Sequence, residues 1–127
     1  MSSYSRELTI LLNMRKYCRY ITENLSKLKY GLEEFKATPL YRDSISMEIQ
    51  QIGELTKDLS DEFISKTNSE IPWVQIKGMR NRFAHGYGKM DFEKIYNTAI
   101  TDIPLLHKFL DNQIEKLQKE YLKDDNS

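Results

Sequence analysis

An all-α bundle of four to five up-and-down helices is the fold class this sequence predicts, on three observations. Apolar residues recur at steps of three and four along most of the chain. Only 5 Gly and 3 Pro punctuate 127 residues, which favours a few long helices over many short strands. Hydrophobic residues at 39% and charged residues at 30% suit one folded domain with a buried core. The whole of 1–127 reads as that single domain, with its core over about 5–118 and a frayed tail at 119–127.

The first helix is carried by Leu8, Leu11, Met14, Cys18, Ile21, Leu25 and Leu28, one narrow apolar stripe. Gly31 is placed to end it. Leu32-Glu33-Glu34-Phe35 can form one short helical turn, and Thr38-Pro39 marks the next boundary. A second stripe, Ile45, Ile49, Ile52, Leu55 and Leu59, predicts a helix with Asp43 or Ser44 as its N-cap. Segment 60–71 is polar and reads as a connection with a helical turn around Phe63. Pro72 suits the first turn of a third main helix, which turns Trp73, Ile76, Met79 and Phe83 inward and ends at Ala84-His85-Gly86. The last helix starts near Asp91 and runs through Phe92, Ile95, Ala99, Ile103, Leu106, Leu110, Ile114, Leu117 and Tyr121. Pro104 lies inside it, which predicts a kink or a fresh start near Thr101-Asp102.

Composition narrows the function classes. Lys+Arg and Asp+Glu both number 19, so a uniformly basic nucleic-acid binder is excluded while a local basic patch is not. A single cysteine excludes a disulfide framework and a multi-Cys metal site. No stretch approaches the ~18 apolar residues of a membrane span, and no signal peptide precedes Asn24-Leu25-Ser26, so that sequon match is chance and a cytoplasmic location is expected. No motif asks for a cofactor.

Ile71–Met90 stands out. It holds four basic residues, Lys77, Arg80, Arg82 and Lys89, and no Asp or Glu. It also contains the only Trp, one of two His and three of five Gly. A helix with a solvated basic face accounts for this, and so does an anion site that binds the phosphates of RNA. Arg80 and His85 are five residues apart, roughly 140° on a regular helix, so both face one way only if the helix end unwinds at Gly86. A two-fold dimer packed along this helix could also bring Arg and His from both copies into one cleft. Arg is a permanent planar phosphate ligand, and His titrates near neutrality and can move a proton. Together they supply the minimum for metal-free RNA cleavage.

Other reactive groups have plainer readings. Cys18 falls in the first apolar stripe and reads as core. His107 reads as an ordinary histidine, and a zinc site from Cys18, His85 and His107 has no motif spacing. Glu54 and Asp58 are four apart on a helix face, where carboxylates can pair for acid–base work, though solvent or a neighbouring Lys57 suffices to explain them.

The segment IPWVQIKGMRNRFAHGYGKMD resembles the signature of HepT-like HEPN proteins: Arg, a polar residue, three more residues, His, any residue, Tyr. It maps onto Arg80, Asn81, His85 and Tyr87. Ile52-Gly53-Glu54-Leu55 resembles the family's Ile-Gly-Glu stretch, and Asp102-Ile103-Pro104-Leu105-Leu106 its Asp-Leu-Pro segment. Nothing departs from the motif. Arg82 is an extra basic residue, and Gly86 stands where relatives vary, often with Glu. The resemblance implies a helical HEPN homodimer acting as a metal-independent endoribonuclease, the toxin of a type VII toxin–antitoxin pair. It implies that Arg80 and His85 catalyse, that Asn81 supports them and that Glu54 orients Arg80. It further implies a minimal nucleotidyltransferase antitoxin that transfers AMP from ATP onto Tyr87 and silences the toxin. The alternative is a HEPN module that binds nucleotide or a nucleotidyltransferase without cutting RNA.

Overall fold

The computed structural model describes residues 3–78 and 91–125. Among these the chain is all-α. The order is α1 (Ser3–Leu25), α2 (Gly31–Ala37), α3 (Pro39–Thr56), α4 (Asp61–Thr67), α5 (Trp73–Gly78), α6 (Phe92–Asn97), a π-helical turn (Thr98–Asp102) and α7 (Ile103–Asp125). The three long helices form the centre, with α1 packed against both α3 and α7. Helix α5 packs on α3, and α2 on α3 and α6.

The apolar spacing decides which faces turn inward. Leu11, Met14, Cys18 and Ile21 of α1, Ile45, Ile49 and Ile52 of α3, and Ile103, Leu106, Leu110 and Ile114 of α7 are all buried in one cluster. Leu8, Leu25, Leu28, Leu55 and Leu117 flank it half-buried. Hydroxyls inside the core are satisfied by their own helices: Ser46 Oγ donates to the Arg42 carbonyl at 2.7 Å and Thr56 Oγ1 to the Ile52 carbonyl at 3.0 Å. Asn24 Nδ2 donates to Glu48 Oε1 at 2.9 Å, tying α1 to α3. Burial pushes the Glu48 carboxyl up from its ordinary value, and the Asn24 hydrogen bond pulls it partly back.

Four boundaries differ from the sequence reading. Helix α1 ends at Leu25, and Gly31 opens α2 instead of closing α1, with φ +70°. The 31–37 segment is a full short helix because Phe35 is completely buried, packed against Tyr96 (centroids 5.3 Å apart) and Phe92 (6.5 Å). Helix α3 starts at Pro39, whose fixed φ suits the first turn, so Asp43 and Ser44 lie within the helix and do not cap it. Asp43 instead accepts from Arg42 Nε at 3.0 Å, and Ser44 Oγ donates to the Leu40 carbonyl at 2.7 Å. The connection 60–71 contains α4, capped by Ser60, whose side chain accepts from the Phe63 N–H at 3.1 Å.

Pro104 acts one turn before itself. It offers no N–H to the Ile100 carbonyl, and the preceding turn widens so that Ile103 N–H reaches back five residues to the Thr98 carbonyl. The expected irregularity is therefore a π-turn, after which α7 runs to Asp125.

Candidate functional site

The motif residues Arg80, Asn81, Arg82, His85, Tyr87 and Lys89, with Met79 and Phe83, lie outside the described residues. What the structure shows is the framework on either side of them. Upstream, α5 is clamped into the core by Ile71, Trp73 and Ile76, all buried. Trp73 is 1% exposed, and its indole Nε1 donates to Thr67 Oγ1 at 2.8 Å. Its ring packs edge-on to Phe109 (centroids 5.9 Å, planes at 73°) and against Phe63 (6.2 Å). Thr67 Oγ1 in turn donates to the Phe63 carbonyl at 2.7 Å, so the hydroxyl serves both roles and leaves no buried polar atom of this pair unpaired. The sequence reading placed Trp73 inward but missed Thr67; no spacing rule pairs a tryptophan with a threonine six residues before it.

Downstream, Asp91 opens α6, its Oδ1 accepting from the Lys94 N–H at 3.1 Å, and Ile95 enters the core. The two described helices that border the motif segment in sequence are thus both anchored in the core. Lys77, the one described member of the basic group, is exposed in the last turn of α5.

Glu54 sits half-buried on α3, the helix against which α5 packs, and pairs with Lys57 Nζ at 3.0 Å. That contact with Lys57 is the plainer of the two readings the spacing allowed, and Asp58 lies exposed in the turn that follows α3. A concavity of about 410 Å³ lined by Arg6, Glu7, Ser60 and Phe63 contains neither Glu54 nor Lys77.

Cys18 is fully buried in the core, as its place in the apolar stripe predicts. Burial, reinforced by Asp111, pushes its thiol up to about 12, so it stays protonated and is no nucleophile. His107 is half-buried on α7, with Nε2 4.0 Å from Asp111 Oδ2, while Arg15 Nη1 approaches the other oxygen at 3.4 Å. No group of three or more His, Cys, Asp or Glu among the described residues could hold a metal ion. No helix among them is long and apolar enough to cross a membrane.

The family model described as Ribonuclease HepT-like matches residues 14–113, from the middle of α1 to α7 with the motif segment inside it. The chain is 32% identical over 103 residues to the protein named Putative RNase TTE0752 of Caldanaerobacter subterraneus subsp. tengcongensis, covering 81% of this chain and 87% of that one. It is 29% identical over 87 residues to Probable ribonuclease HepT of Thermococcus cleftensis, covering 68% of this chain and 74% of the other. With Putative RNase MJ0127 of Methanocaldococcus jannaschii it shares 26% over 120 residues, 91% of this chain and 96% of that one. No solved structure matches it. An all-α bundle with an anchored α5, the Arg-to-Tyr motif beyond it and a family match over more than three quarters of its length place this chain in the HepT-like ribonuclease family.

Proposed function

We propose that this chain is a metal-independent endoribonuclease that works as a homodimer, the toxin of a type VII toxin–antitoxin pair in the cytoplasm. One observation carries the reading: the family match spans the whole motif segment, and Arg80, Asn81, His85 and Tyr87 are all intact within it. In the reaction the 2′-oxygen of a ribose attacks the adjacent phosphorus and the bond to the 5′-oxygen breaks. His85 moves the proton, and Arg80 neutralises the charge that builds on the phosphorane. Two copies of Arg80 and His85 facing across a two-fold axis would bring into one cleft groups that a regular helix would point about 140° apart. Lys77, Arg82 and Lys89 hold neighbouring phosphates. Asn81 and Glu54 position Arg80.

Cleavage needs only a proton carrier and a fixed cation, so a purified preparation should cut single-stranded RNA at an undiminished rate in excess EDTA. Gel readout of RNA integrity checks this. Activity lost with chelator and restored by magnesium or manganese overturns the metal-free mechanism.

Tyr87 stands between Gly86 and Gly88, neighbours without side chains, so a second enzyme's active site can reach its phenol. A minimal nucleotidyltransferase would join the Tyr87 oxygen to the α-phosphorus of ATP and release pyrophosphate. The added phosphate competes with RNA for Arg80. Incubation with the neighbouring nucleotidyltransferase and ATP should raise the intact mass by an AMP unit on wild type and not on Tyr87→Phe. An equal gain on both sinks the assignment of Tyr87.

A further inference from the structure

The balance of charge over the whole chain hides an uneven distribution. Residues 8–32 hold five cations, Arg15, Lys16, Arg19, Lys27 and Lys29, against one acid, Glu23. Arg15 is engaged by Asp111 of α7. The other four make no ion pair among the described residues; two of them instead lie beside tyrosine rings, Lys16 Nζ 5.1 Å from the centroid of Tyr17 and the Arg19 guanidinium 5.9 Å from that of Tyr20. Lys16, Arg19 and Tyr20 fall within a sector of about 100° on α1, which they share with the exposed Glu23, opposite the buried stripe of Leu11, Met14, Cys18 and Ile21.

The turn that follows adds Lys27, Lys29 and Tyr30, all exposed. Tyr30 is 81% exposed and adds almost nothing to the core, yet its backbone is firmly held. The N–H groups of Lys29 and Tyr30 both donate to Glu34 Oε2, at 2.9 and 2.8 Å, and the Leu28 N–H donates to the Leu25 carbonyl at 3.0 Å. Gly31 then takes φ +70°, the left-handed conformation that other residues adopt only at a cost. A well-fixed turn thus carries an exposed aromatic ring directly after two exposed lysines, Lys27 and Lys29. Cations that follow a backbone beside outward-facing aromatics are the arrangement that binds unpaired nucleic acid: phosphates meet the cations and bases stack on the rings.

We propose that Lys16, Arg19, Tyr20, Lys27, Lys29 and Tyr30 form a docking strip for single-stranded RNA. The proposal rests on the ribonuclease reading for its ligand. The strip lies on α1 and its exit turn, whereas the motif follows α5, which packs on α3, so the strip holds substrate away from the scissile bond. Contacts remote from the reacting phosphate that grip substrate and transition state alike set KM and leave kcat unchanged.

Two variants separate the terms: Lys16→Glu/Arg19→Glu for charge, and Tyr20→Ala/Tyr30→Ala for stacking. Circular dichroism confirms that each is folded. Each should raise KM for a single-stranded oligonucleotide about tenfold or more with kcat within about twofold. Fluorescence anisotropy on the same oligonucleotide in a His85→Ala background should show matching losses of affinity, with a shallower salt dependence only for the charge variant. If wild type cuts RNA and the variants show wild-type KM and Kd, the strip is overturned and the ribonuclease reading stands. If wild type cuts no RNA yet binds it through these residues, the ribonuclease reading fails and the strip stands. Absence of both cutting and binding overturns both. Variants that keep RNA affinity but lose association with a protein partner mark a protein interface and likewise overturn the strip.

Discussion

Alanine at His85 or at Arg80 is expected to cut the rate of RNA cleavage by at least about a hundredfold, while the chain stays folded. The rate follows from the division of labour. Without His85 no group of the motif takes the 2′-hydroxyl proton near neutral pH, and water performs that step poorly. Without Arg80 the extra negative charge of the phosphorane has lost its planar, permanently charged partner. Folding is expected to be spared because neither residue belongs to the apolar set, Trp73, Ile76, Met79 and Phe83, that the sequence turns inward on this stretch. The buried hydrophobics among the described residues come from α1, α2, α3, α5, α6 and α7 and the turns around them. A conservative exchange sharpens the test. Arg80→Lys keeps the charge and loses the bidentate fork, so it should recover only part of the rate. The readouts are single-turnover cleavage and circular dichroism. A His85→Ala preparation that cuts at the wild-type rate refutes the proposed chemistry, and one that is unfolded refutes the separation of site from core.

The long helices were legible because burial imposes a period. Leu11, Met14, Cys18 and Ile21 recur every three or four residues since one face of α1 meets α3 and α7, and nothing else in the chain could produce that spacing. The short elements were not. Phe35 is one apolar residue in a polar stretch, and only its meeting with Phe92 and Tyr96, some sixty residues further on, makes α2 a core helix. Gly31 was legible as a break between helices but not as the start of α2, because its φ of +70° shows only in the structure. Pro39 competed with Asp43 and Ser44 for the start of α3, and a fixed φ at the first position outweighed a side-chain cap. The family was legible because Arg80, His85 and Tyr87 stand at the spacing of its signature, and the family model spans that segment. The polar face of α1 carries no comparable period, because solvent imposes no spacing on the residues that meet it. Tyr30 in particular gives no signal until its exposure and the Glu34 bracket are seen together.

Trp73→Ala should be the most damaging substitution for stability, at about 3–5 kcal/mol, a large share of the roughly 5–15 kcal/mol that holds a domain of this size together. The indole is 1% exposed, and its removal opens a cavity between Phe63 and Phe109. It also strips Thr67 Oγ1 of its donor in a buried position. Trp73→Phe separates the two effects. It keeps most of the ring packing and loses only the hydrogen bond, so it should cost about 1–2 kcal/mol, and pairing it with Thr67→Val in a double-mutant cycle should show that the two losses do not add. The position has a functional consequence as well. Trp73 stands seven residues before Arg80 and is the largest side chain holding α5 to α3 and α7. Loosening it frees the chain that leads into the motif. Trp73→Phe should therefore lower cleavage more than its modest loss of stability implies, because a displacement of the catalytic groups by about 1 Å is costly even when the fold survives. Urea denaturation and cleavage assays on the same preparations decide the matter. A Trp73→Ala chain with the wild-type midpoint would show that α5 is not anchored by this residue, and a Trp73→Phe chain with wild-type cleavage would show that the anchor does not reach the motif.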